Sequence, residues 1–343
     1  MVQPVNTSPA DIHEALQDFL REWADDSPTV EVQTSGSTGT PKRMLVEKRR
    51  MEAGARLTCS FLGLKAGDTA LLCMPLQYIA GKMVVVRSLV WGLRLVTVQP
   101  SGHPLAGLTE APTFAAMIPM QVYNSLQVPG ERALLRKVRH LIIGGGAVDR
   151  TLGEALRDFP HAVWSTYGMT ETLSHIALRR LNGPEASEWY TPFASVSVRL
   201  SDRGTLVIEA PQVNPDTLET NDIAELDGAG RFRILGRADN TLNTGGVKVQ
   251  IEQVEARLAS LLDEPFAVTS VPDPRLGEAV TLLYTGTRMP EDLTVLCREA
   301  LPTYWRPRHI YRTNAIPQTG SGKVSRAEVR RLAETLHQGE QPQ

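Results

Sequence analysis

The sequence predicts an α/β protein with a large N-terminal domain and a smaller α+β domain after it. Apolar runs alternate with helical stretches up to about residue 190, a pattern typical of a sheet with parallel strands. Beyond residue 190 short strands follow one another, joined by Gly, Asp and Pro turns, and a mixed unit of helices and strands comes last. At 343 residues the chain has room for about two domains.

The elements of the large domain begin with a helix for which Ser8-Pro9 supply the N-cap and the first helical residue. A strand at Thr29–Val32 leads into a loop rich in Gly, Ser and Thr, and a helix is expected over about 47–62. Further strands are expected at 69–74, 94–98, 114–118, 140–143 and 161–166. Further helices are expected at 81–91, 120–126 and 150–158.

The remaining elements divide into a β-rich subdomain and a C-terminal unit. The subdomain strands are expected at Val196–Leu200, Thr205–Ala210 and Arg231–Leu235. The C-terminal unit should contain helices at 250–262, 290–300 and 325–336 and strands near 266–271, 279–285 and 309–313. We therefore expect a large domain over 1–236, a hinge at 237–240, a small domain over 241–336 and a frayed tail at 337–343.

Composition excludes several classes of protein. Apolar residues make up 42% and charged residues 22%, as in ordinary globular proteins. The 36 basic and 38 acidic residues argue against a general nucleic-acid binder. No apolar run approaches the roughly 18 residues of a membrane helix, and no secretory signal is visible. The three scattered cysteines fit a reducing compartment, so we expect a cytoplasmic protein without a membrane partner.

The first motif is the run TSGSTGTPK, which starts at residue 34. Its glycines let backbone N–H groups turn toward an anion, its hydroxyls add donors, and a lysine adds a positive charge. These groups suit a polyphosphate, although the spacing is not that of the GxxxxGK[ST] loop. The alternative is a flexible connector. The candidate phosphate-binding residues are Thr34, Ser35, Gly36, Ser37, Thr38, Gly39 and Lys42.

The second motif is a glycine turn that follows a buried strand and comprises Gly144, Gly145, Gly146 and Ala147. A dinucleotide fingerprint would need a third glycine and a ribose-binding acid at set offsets, and neither is present. We interpret the turn as a flat shelf beside a nucleotide base. The alternative is a tight strand–helix turn without a ligand.

The third motif, Ser165–Thr172, also stands at the end of a strand. Its hydroxyls and single carboxylate suit a phosphate with Mg²⁺: Thr170 would meet a phosphate oxygen and Glu171 the metal. The alternative is a helix N-terminus with Thr170 as its cap. His175 follows closely, although a lone histidine is more often structural.

Two further motifs carry charge on turn-like sequences. Asp222, Arg237 and their neighbours could hold ribose hydroxyls and phosphate, or could simply form turns of a β meander. Lys323 ends the Gly/Ser run 317–323, where it could be a mobile catalytic cation or part of a surface turn. The sequence contains no HExxH, GxSxG or Cys/His metal spacing.

In this order and spacing the five motifs resemble the adenylate-forming superfamily of acyl- and aryl-CoA ligases, luciferases and peptide-synthetase adenylation domains. The resemblance covers about Thr29 to Arg326. It implies a mobile C-terminal lid domain, ATP and Mg²⁺, coenzyme A as co-substrate and a small carboxylic acid as substrate. Three segments, 75–82, 117–124 and 172–177, are most similar to the o-succinylbenzoate–CoA ligases of menaquinone biosynthesis.

The resemblance also implies roles for individual residues. Residues 34–42 would hold the β- and γ-phosphates, Thr170 the α-phosphate and Glu171 the Mg²⁺, while Lys323 would serve adenylation. The remaining implied sites are the adenine site at Gly144 to Ala147, Tyr167 and Gly168, the ribose site at Asp222 and Arg237, the hinge at Asp239, and the thiol tunnel at Gly245 and Gly246.

The acid pocket is expected to involve Tyr78, Lys82, Ser174 and His175. o-Succinylbenzoate keeps a second carboxylate, and burying it unpaired would be costly. Lys82, in the first turn of a helix expected to begin near Gly81, is the first candidate partner and His175 the second. Lys82 could equally face solvent.

The sequence also departs from the family pattern. The phosphate loop begins at residue 34, whereas typical members have more than a hundred residues before it, so we expect an N-terminally shortened large domain. Tyr78 stands where many members have histidine, Asn221 replaces a glycine, and Val247-Lys248 replaces an acid–amide pair. The oligomeric state stays open, with a homodimer among the alternatives.

Other functions also stay open. The chain could activate a different aryl or acyl acid, or load a carrier-protein thiol. In a different class, it could be a catalytically silent nucleotide-binding regulator, although Glu171 and Lys323 are both present.

Overall fold

The structure is a computed structural model, and it describes residues 11–33, 43–318 and 324–340. The helices of the described chain are α1 (Ile12–Ala24), α2 (Lys48–Leu62), α3 (Ile79–Trp91), α4 (Pro119–Gln127), α5 (Pro129–Leu135), α6 (Arg150–Leu156), α7 (Ile251–Leu258), α8 (Pro290–Ala300) and α9 (Arg326–Glu340). Its strands are β1 (Thr29–Gln33), β2 (Arg43–Glu47), β3 (Thr69–Leu72), β4 (Arg94–Thr97), β5 (Phe114–Met117), β6 (His140–Ile143), β7 (Ala162–Gly168), β8 (His175–Arg180), β9 (Thr191–Pro192), β10 (Ser197–Leu200), β11 (Thr205–Ala210), β12 (Asn214–Leu226), β13 (Phe232–Arg237), β14 (Thr241–Thr244), β15 (Val247–Gln250), β16 (Phe266–Asp273), β17 (Gly277–Tyr284) and β18 (His309–Arg312).

The largest sheet within the described ranges has seven strands in the order β4-β3-β5-β6-β7-β8-β9. Neighbours from β4 to β7 are parallel, and β8 and β9 are added antiparallel. Parallel neighbours need long connections, which α3 to α6 help to supply. The predicted α/β class is therefore confirmed.

The other described strands form smaller sheets. β1 and β2 form an antiparallel hairpin of their own, with Val30 opposite Val46. A four-stranded sheet has the order β10-β11-β12-β13. In the C-terminal region the order is β15-β14-β17-β16, and β18 pairs in parallel with β17.

By contact pattern the chain divides into two compact units. The first comprises Met1–Val198, Ile208–Leu218 and Gly228–Phe232, and the second comprises Arg199–Val207, Glu219–Asp227 and Arg233–Gln343. This division assigns parts of β10 to β13 to alternate units, so it does not coincide with a single boundary at residue 236. The predicted domains 1–236 and 241–336 and the hinge at 237–240 stay predictions.

Within the first unit, the central parallel strands are buried on both faces, which is usual for parallel sheets. Alternate side chains such as Leu71 and Ile143 belong to one cluster with Leu152 and Leu156 of α6. The intervening residues, for example Phe114, are buried as well.

Within the second unit, β17 separates two apolar clusters. Val280, Leu282 and Tyr284 pack with residues of α7 and α8. Ala279 and Leu283, which face the other way, pack with residues of α9. The period-two alternation of a strand thus gives β17 a core on each side.

Several local predictions are wrong. The first helix is capped by Asp11, whose carboxylate accepts from His13 N–H, and not by Ser8. The short α5, the strand β8 and the 13-residue strand β12 were not predicted. The tail expected to be frayed from residue 337 instead continues α9 as far as residue 340. Within it, the Nδ1 atom of His337 lies 3.0 Å from the Tyr311 hydroxyl. Within the described ranges, every helix is too short or too polar to cross a bilayer.

Leu282→Ala tests the double-sided core of the second unit. Leu282 is fully buried, so its truncation should cost about 2–5 kcal/mol of unfolding free energy. Val295→Ala on the exposed face of α8 is the control and should change it by less than about 0.5 kcal/mol. Urea unfolding gives the free energies, and hydrogen exchange of the β16 and β17 peptides should localise the loss. Equal behaviour of the two variants would contradict the packing described.

Candidate active site

Two predicted motifs lie at one edge of the seven-stranded sheet. β5, β6 and β7 are adjacent and parallel, so their carboxyl ends meet. Gly144 directly follows β6, and β7 ends at Gly168, two residues before Thr170. This edge is where open α/β sheets bind ligands. The glycine turn and the Thr170–Glu171 motif are therefore neighbours at a position suited to a ligand.

The glycine turn after β6 leaves no space for side chains on its inner side. A Cβ at Gly144 would clash with the Thr166 hydroxyl. Gly145 has a φ of +74°, and a Cβ there would lie 3.3 Å from Ile118 Cγ2. The turn therefore presents bare backbone, as the shelf interpretation requires. Gly146 and Ala147 continue it toward α6.

The Tyr167 ring, predicted to flank adenine, is packed on other aromatic rings. It meets Phe232 edge-on at 5.0 Å between centroids and lies tilted against Tyr190 at 5.8 Å. Such contacts hold an aromatic side chain in one orientation. The position suits a rigid wall of a base pocket.

Thr170 and Glu171 lie in a single 3₁₀ turn, Thr170–Thr172. The helix N-terminus that the sequence offered as an alternative is absent at this point, because the chain leaves the turn for β8. Glu171 is exposed, and among the described residues no hydrogen bond or ion pair engages its carboxylate. Its carbonyl accepts from Asn214 Nδ2 at 2.9 Å. No described residue competes for this carboxylate, and an oxygen ligand of this kind suits a hard cation such as Mg²⁺.

The residues around this turn are tightly constrained. A Cβ at Gly168 would clash with the Ser174 carbonyl and with His175. Leu173 has a φ of 61°, the only positive φ of a non-glycine residue in the described chain, and its side chain is buried. Conformations of this kind persist only where the surroundings enforce them, and they cluster at functional sites.

Arg87, which no sequence motif indicated, is a charged residue that is almost fully buried. It is only 2% exposed, on the apolar helix α3. Its Nη2 donates to Ser174 Oγ at 2.7 Å and to Thr58 Oγ1 at 3.4 Å, and its buried Nε has no partner among the residues that the structure describes. Burial lowers the pKa of Arg87 to about 10, and no carboxylate of the described residues pairs with it. Its only signal in the sequence is one arginine within the apolar run 83–90.

His175 lies in the same network and is held neutral. Burial, and then the nearby Arg87, lowers its pKa well below the usual value. Thr58 Oγ1 donates its proton to the Gly54 carbonyl at 3.1 Å, so His175 must donate through Nε2 to Thr58 at 3.0 Å. Its Nδ1 then accepts from Ser174, 3.2 Å away. A neutral histidine is a poor partner for a carboxylate, and this argues against the second candidate for that role.

Lys82 has a different partner from the one predicted. Its Nζ lies 2.9 Å from Glu22 Oε2 and donates to the Glu31 carbonyl at 2.7 Å. Lys82 is buried, in the first turn of a helix that begins at Ile79, two residues before the predicted start at Gly81. Neither the solvent-facing position nor the assignment to the substrate carboxylate fits, because this ammonium is neutralised within the protein. Tyr78, the N-cap of α3, forms a parallel bridge with Gln33.

In the second unit, Arg237 joins two of the predicted acids. Its Nη1 lies 3.3 Å from Asp222 Oδ1 and its Nη2 lies 3.0 Å from Asp239 Oδ2. Asp222 is part of strand β12, so the turn that the sequence offered as an alternative is wrong there. Asp239 is in a 3₁₀ turn, Ala238–Asn240, between β13 and β14. The predicted ribose and hinge residues therefore form one charged cluster.

The Gly245-Gly246 pair forms the tight turn between the antiparallel strands β14 and β15. Their φ values are +60° and +79°, as a type I′ hairpin turn requires, and glycine adopts both without strain. A Cβ at Gly245 would lie 3.2 Å from Leu276 and 3.4 Å from Tyr304.

Two predicted parts of the site lie outside the described residues. These are the phosphate loop, with Thr34, Ser35, Gly36, Ser37, Thr38, Gly39 and Lys42, and the catalytic Lys323. β1 ends immediately before the loop and β2 begins immediately after it. Val324, which follows Lys323, forms an antiparallel bridge with Gln318.

Known proteins resemble this chain over almost its whole length. The profile described as AMP-binding enzyme matches residues 5–213, and that of the AMP-binding enzyme C-terminal domain matches 264–323. A probable 2-succinylbenzoate–CoA ligase of Mycobacterium tuberculosis is 30% identical over 94% of this chain and 89% of its own. A 2-succinylbenzoate–CoA ligase of Geobacillus kaustophilus is 29% identical over 87% of this chain and 68% of its own.

Solved structures give the same result for the fold. An acyl-CoA synthetase (AMP-forming)/AMP-acid ligase II-like protein from Dyadobacter fermentans is 34% identical, with a TM-score of 0.65, over 96% of this chain and 95% of that one. The o-succinylbenzoate coenzyme A synthetase of Bacillus subtilis, solved with ATP and magnesium ion, has a TM-score of 0.72 at 22% identity, over 87% of this chain and 69% of that one.

These matches confirm the resemblance expected from the five motifs, including its narrower form, since 2-succinylbenzoate and o-succinylbenzoate are one compound. The family profile alone covers more than half of the chain, and its C-terminal companion follows in the expected order. The chain belongs to the AMP-binding enzyme family.

Proposed function

We propose that this protein is the ATP-dependent acid–CoA ligase that converts o-succinylbenzoate to its CoA thioester in menaquinone biosynthesis. Similarity to 2-succinylbenzoate–CoA ligases over 87–94% of this chain supports the reaction class. Within this structure, the substrate class is supported by Arg87, whose guanidinium is buried and has no carboxylate partner in the described chain. A substrate with a second, unreacted carboxylate supplies the missing counter-charge.

The reaction has two half-reactions. A carboxylate oxygen of the acid attacks the α-phosphorus of ATP, and the bond to the bridging oxygen breaks as pyrophosphate leaves. The thiol of coenzyme A then loses its proton and attacks the acyl carbonyl, and AMP leaves. Negative charge builds up at both centres, so catalysis needs fixed donors and positive charges rather than a protein nucleophile.

On the first unit we assign nucleotide and metal contacts to the two strand-end motifs. Bare backbone at Gly144 and Gly145, with the fixed Tyr167 ring nearby along β7, supports a base-binding role. The exposed Glu171 carboxylate supports binding of Mg²⁺, which when bound would neutralise phosphate charge. Thr170, beside it, would donate to the α-phosphate. Residues 34–42 would hold the β- and γ-phosphates through backbone N–H groups and hydroxyls.

On the second unit we assign ribose binding to Asp222 and Arg237, and the hinge to Asp239. The ion pairs of Arg237 with both acids support a common site for them. In this proposal the C-terminal domain rotates about Asp239 between the two half-reactions, which presents Lys323 for adenylation and Gly245-Gly246 for the thiol.

We assign the binding of the second substrate carboxylate to Arg87 and Ser174, and no longer to Lys82. Arg87 already donates to the half-buried Ser174 hydroxyl, and its Nε is unused. A planar guanidinium matches a carboxylate with two parallel hydrogen bonds. The neutral His175 and Thr58 would keep this cation in place without competing for the anion.

An acid panel tests the function. Pyrophosphate exchange into ATP, followed by CoA ester formation, should be fastest with o-succinylbenzoate, slower with benzoate and with succinate, and should depend on Mg²⁺. Transfer to a carrier-protein thiol in place of CoA would favour a loading enzyme. Absence of exchange with every acid would leave the silent nucleotide-binding regulator and refute the proposal.

Arg87→Met separates the assigned role from a structural one. Loss of a charge-assisted contact of about 1.5–3 kcal/mol should raise the KM for o-succinylbenzoate about 10- to 100-fold and leave the KM for ATP near its original value. Because the guanidinium is buried without a carboxylate, the variant should be at least as stable to heat as the parent. Steady-state kinetics give the two KM values, and thermal unfolding gives the stability of the variant. A large loss of stability with an unchanged KM would make Arg87 a structural residue.

Lys323→Ala should affect the first half-reaction far more than the second. In adenylation two anions, the carboxylate and the α-phosphate, approach each other, and a positive charge between them offsets the repulsion. Removing such a charge commonly costs about 10²–10³-fold in rate. The variant should still convert supplied acyl-adenylate to the CoA ester. Equal losses in both half-reactions, with the fold intact, would exclude the proposed rotation.

A further inference from the structure

The outer edge of β1 is bonded by side chains where a further strand would normally pair. β1 and β2 form a two-stranded sheet, so each has one edge without a strand neighbour. At Glu31 the backbone N–H on that edge donates to Glu22 Oε1 at 3.0 Å, and the carbonyl accepts from Lys82 Nζ at 2.7 Å. Lys82 and Glu22 also bind each other at 2.9 Å. The three contacts join α1, β1 and α3 in one closed ring.

Within this ring, Glu22–Glu31–Lys82, the lysine is protected from water, whereas the two glutamates are at least partly exposed. The Lys82 side chain is only 9% exposed, and its ammonium lies 4.8 Å above the Phe19 ring. Glu22 is partly exposed, at 33%. Charge-assisted hydrogen bonds are stronger away from water, and all three here involve a charged group. The ring therefore fixes the position of Glu31 relative to the first turn of α3.

The ring lies close to the end of β1 that leads into the predicted phosphate loop. Glu31 is two residues before the end of β1, and the chain continues directly into residues 34–42. At the last residue of β1, the bridge from Gln33 to Tyr78 is a second link to the start of α3. β1 is therefore fastened to α3 at two successive points before the predicted phosphate loop begins.

We propose that Glu22 and Lys82 are positioning residues for ATP. They hold β1 in the place from which the phosphate loop can reach the nucleotide, and neither needs to touch a substrate. This inference rests on the proposed function, in which residues 34–42 bind the β- and γ-phosphates. In this proposal Lys82 affects the binding of ATP, whereas its position in the sequence suggested that it binds the acid.

Lys82→Met is the main test variant. Methionine keeps most of the buried volume, and the Glu22 carboxylate left without its partner is 33% exposed, so water can solvate it. We expect the KM for ATP in pyrophosphate exchange to rise about tenfold, which corresponds to the loss of one charge-assisted bond, and the KM for the acid to change less than about twofold. Glu22→Leu, which removes the acceptor for Glu31 N–H, should have the same effect. Glu22→Gln keeps a neutral acceptor and should restore most of the affinity.

Asp25→Asn is the matched control. Asp25 directly follows α1 and forms an ion pair with Lys48 at 2.7 Å, but it does not contact the edge of β1. The Asp25→Asn variant should leave the KM for ATP and the KM for the acid unchanged. A thermal unfolding measurement on each variant reports whether α1 is still docked.

The dissociation constant for ATP, measured by calorimetry without any acid, separates the two proposals. If no acid supports exchange by the parent protein but Lys82→Met still weakens ATP binding tenfold, the proposed ligase function fails and the positioning role stands. If the parent is active and folded Lys82→Met binds ATP as tightly as the parent, the positioning role is refuted. Equal increases in both KM values would also overturn it, since they would mean a general disturbance of the site.

Discussion

The cost of burying a charge determines much of the arrangement around α3. Both cations of this apolar helix, Lys82 and Arg87, are almost fully removed from water, and a buried charge must find partners. Lys82 finds them within the protein, in Glu22 of α1 and the Glu31 backbone of β1. Within the described chain, the hydrogen-bond partners of Arg87 are the hydroxyl groups of Thr58 and Ser174. One cation therefore joins α1, β1 and α3 near the start of the helix, and the other, five residues later, is the one to which we assign the second carboxylate of the substrate.

The general plan of the fold could be predicted from the sequence because it depends on local patterns. Alternating apolar and helical segments indicate parallel strands, and the carboxyl ends of such strands meet, which is why the glycine turn at Gly144 and the turn at Thr170 lie at the same edge of the sheet. β12 was missed because its Asn, Pro and Asp residues are typical of turns, although its burial is set by neighbouring strands. α5 is too short for a periodic signal.

The acid pocket could not be predicted in the same way, because partners far apart in the sequence decide it. Nothing near Lys82 indicates that Glu22, sixty residues earlier, neutralises its ammonium. A single arginine in an apolar run resembles a tolerated surface residue until the helix is seen to be buried around it. The neutral state of His175 likewise follows from its burial and from Arg87, which lies 88 residues earlier in the sequence. Residue types and spacing predict the nucleotide motifs, whereas the pairing of charges is a property of the tertiary structure.

The uncompensated guanidinium has a consequence for the lifetime of the protein in a cell. A folded state that carries a buried charge without its counter-ion is less stable than one in which an anion fills that place, and any molecule that binds only the folded state shifts the unfolding equilibrium by mass action. With the second carboxylate of the substrate bound at Arg87, as proposed above, the abundance of the acid would set how often Arg87 and the helices around it are exposed to proteases. A cell that stops making the acid would lose the enzyme faster, without any dedicated regulator.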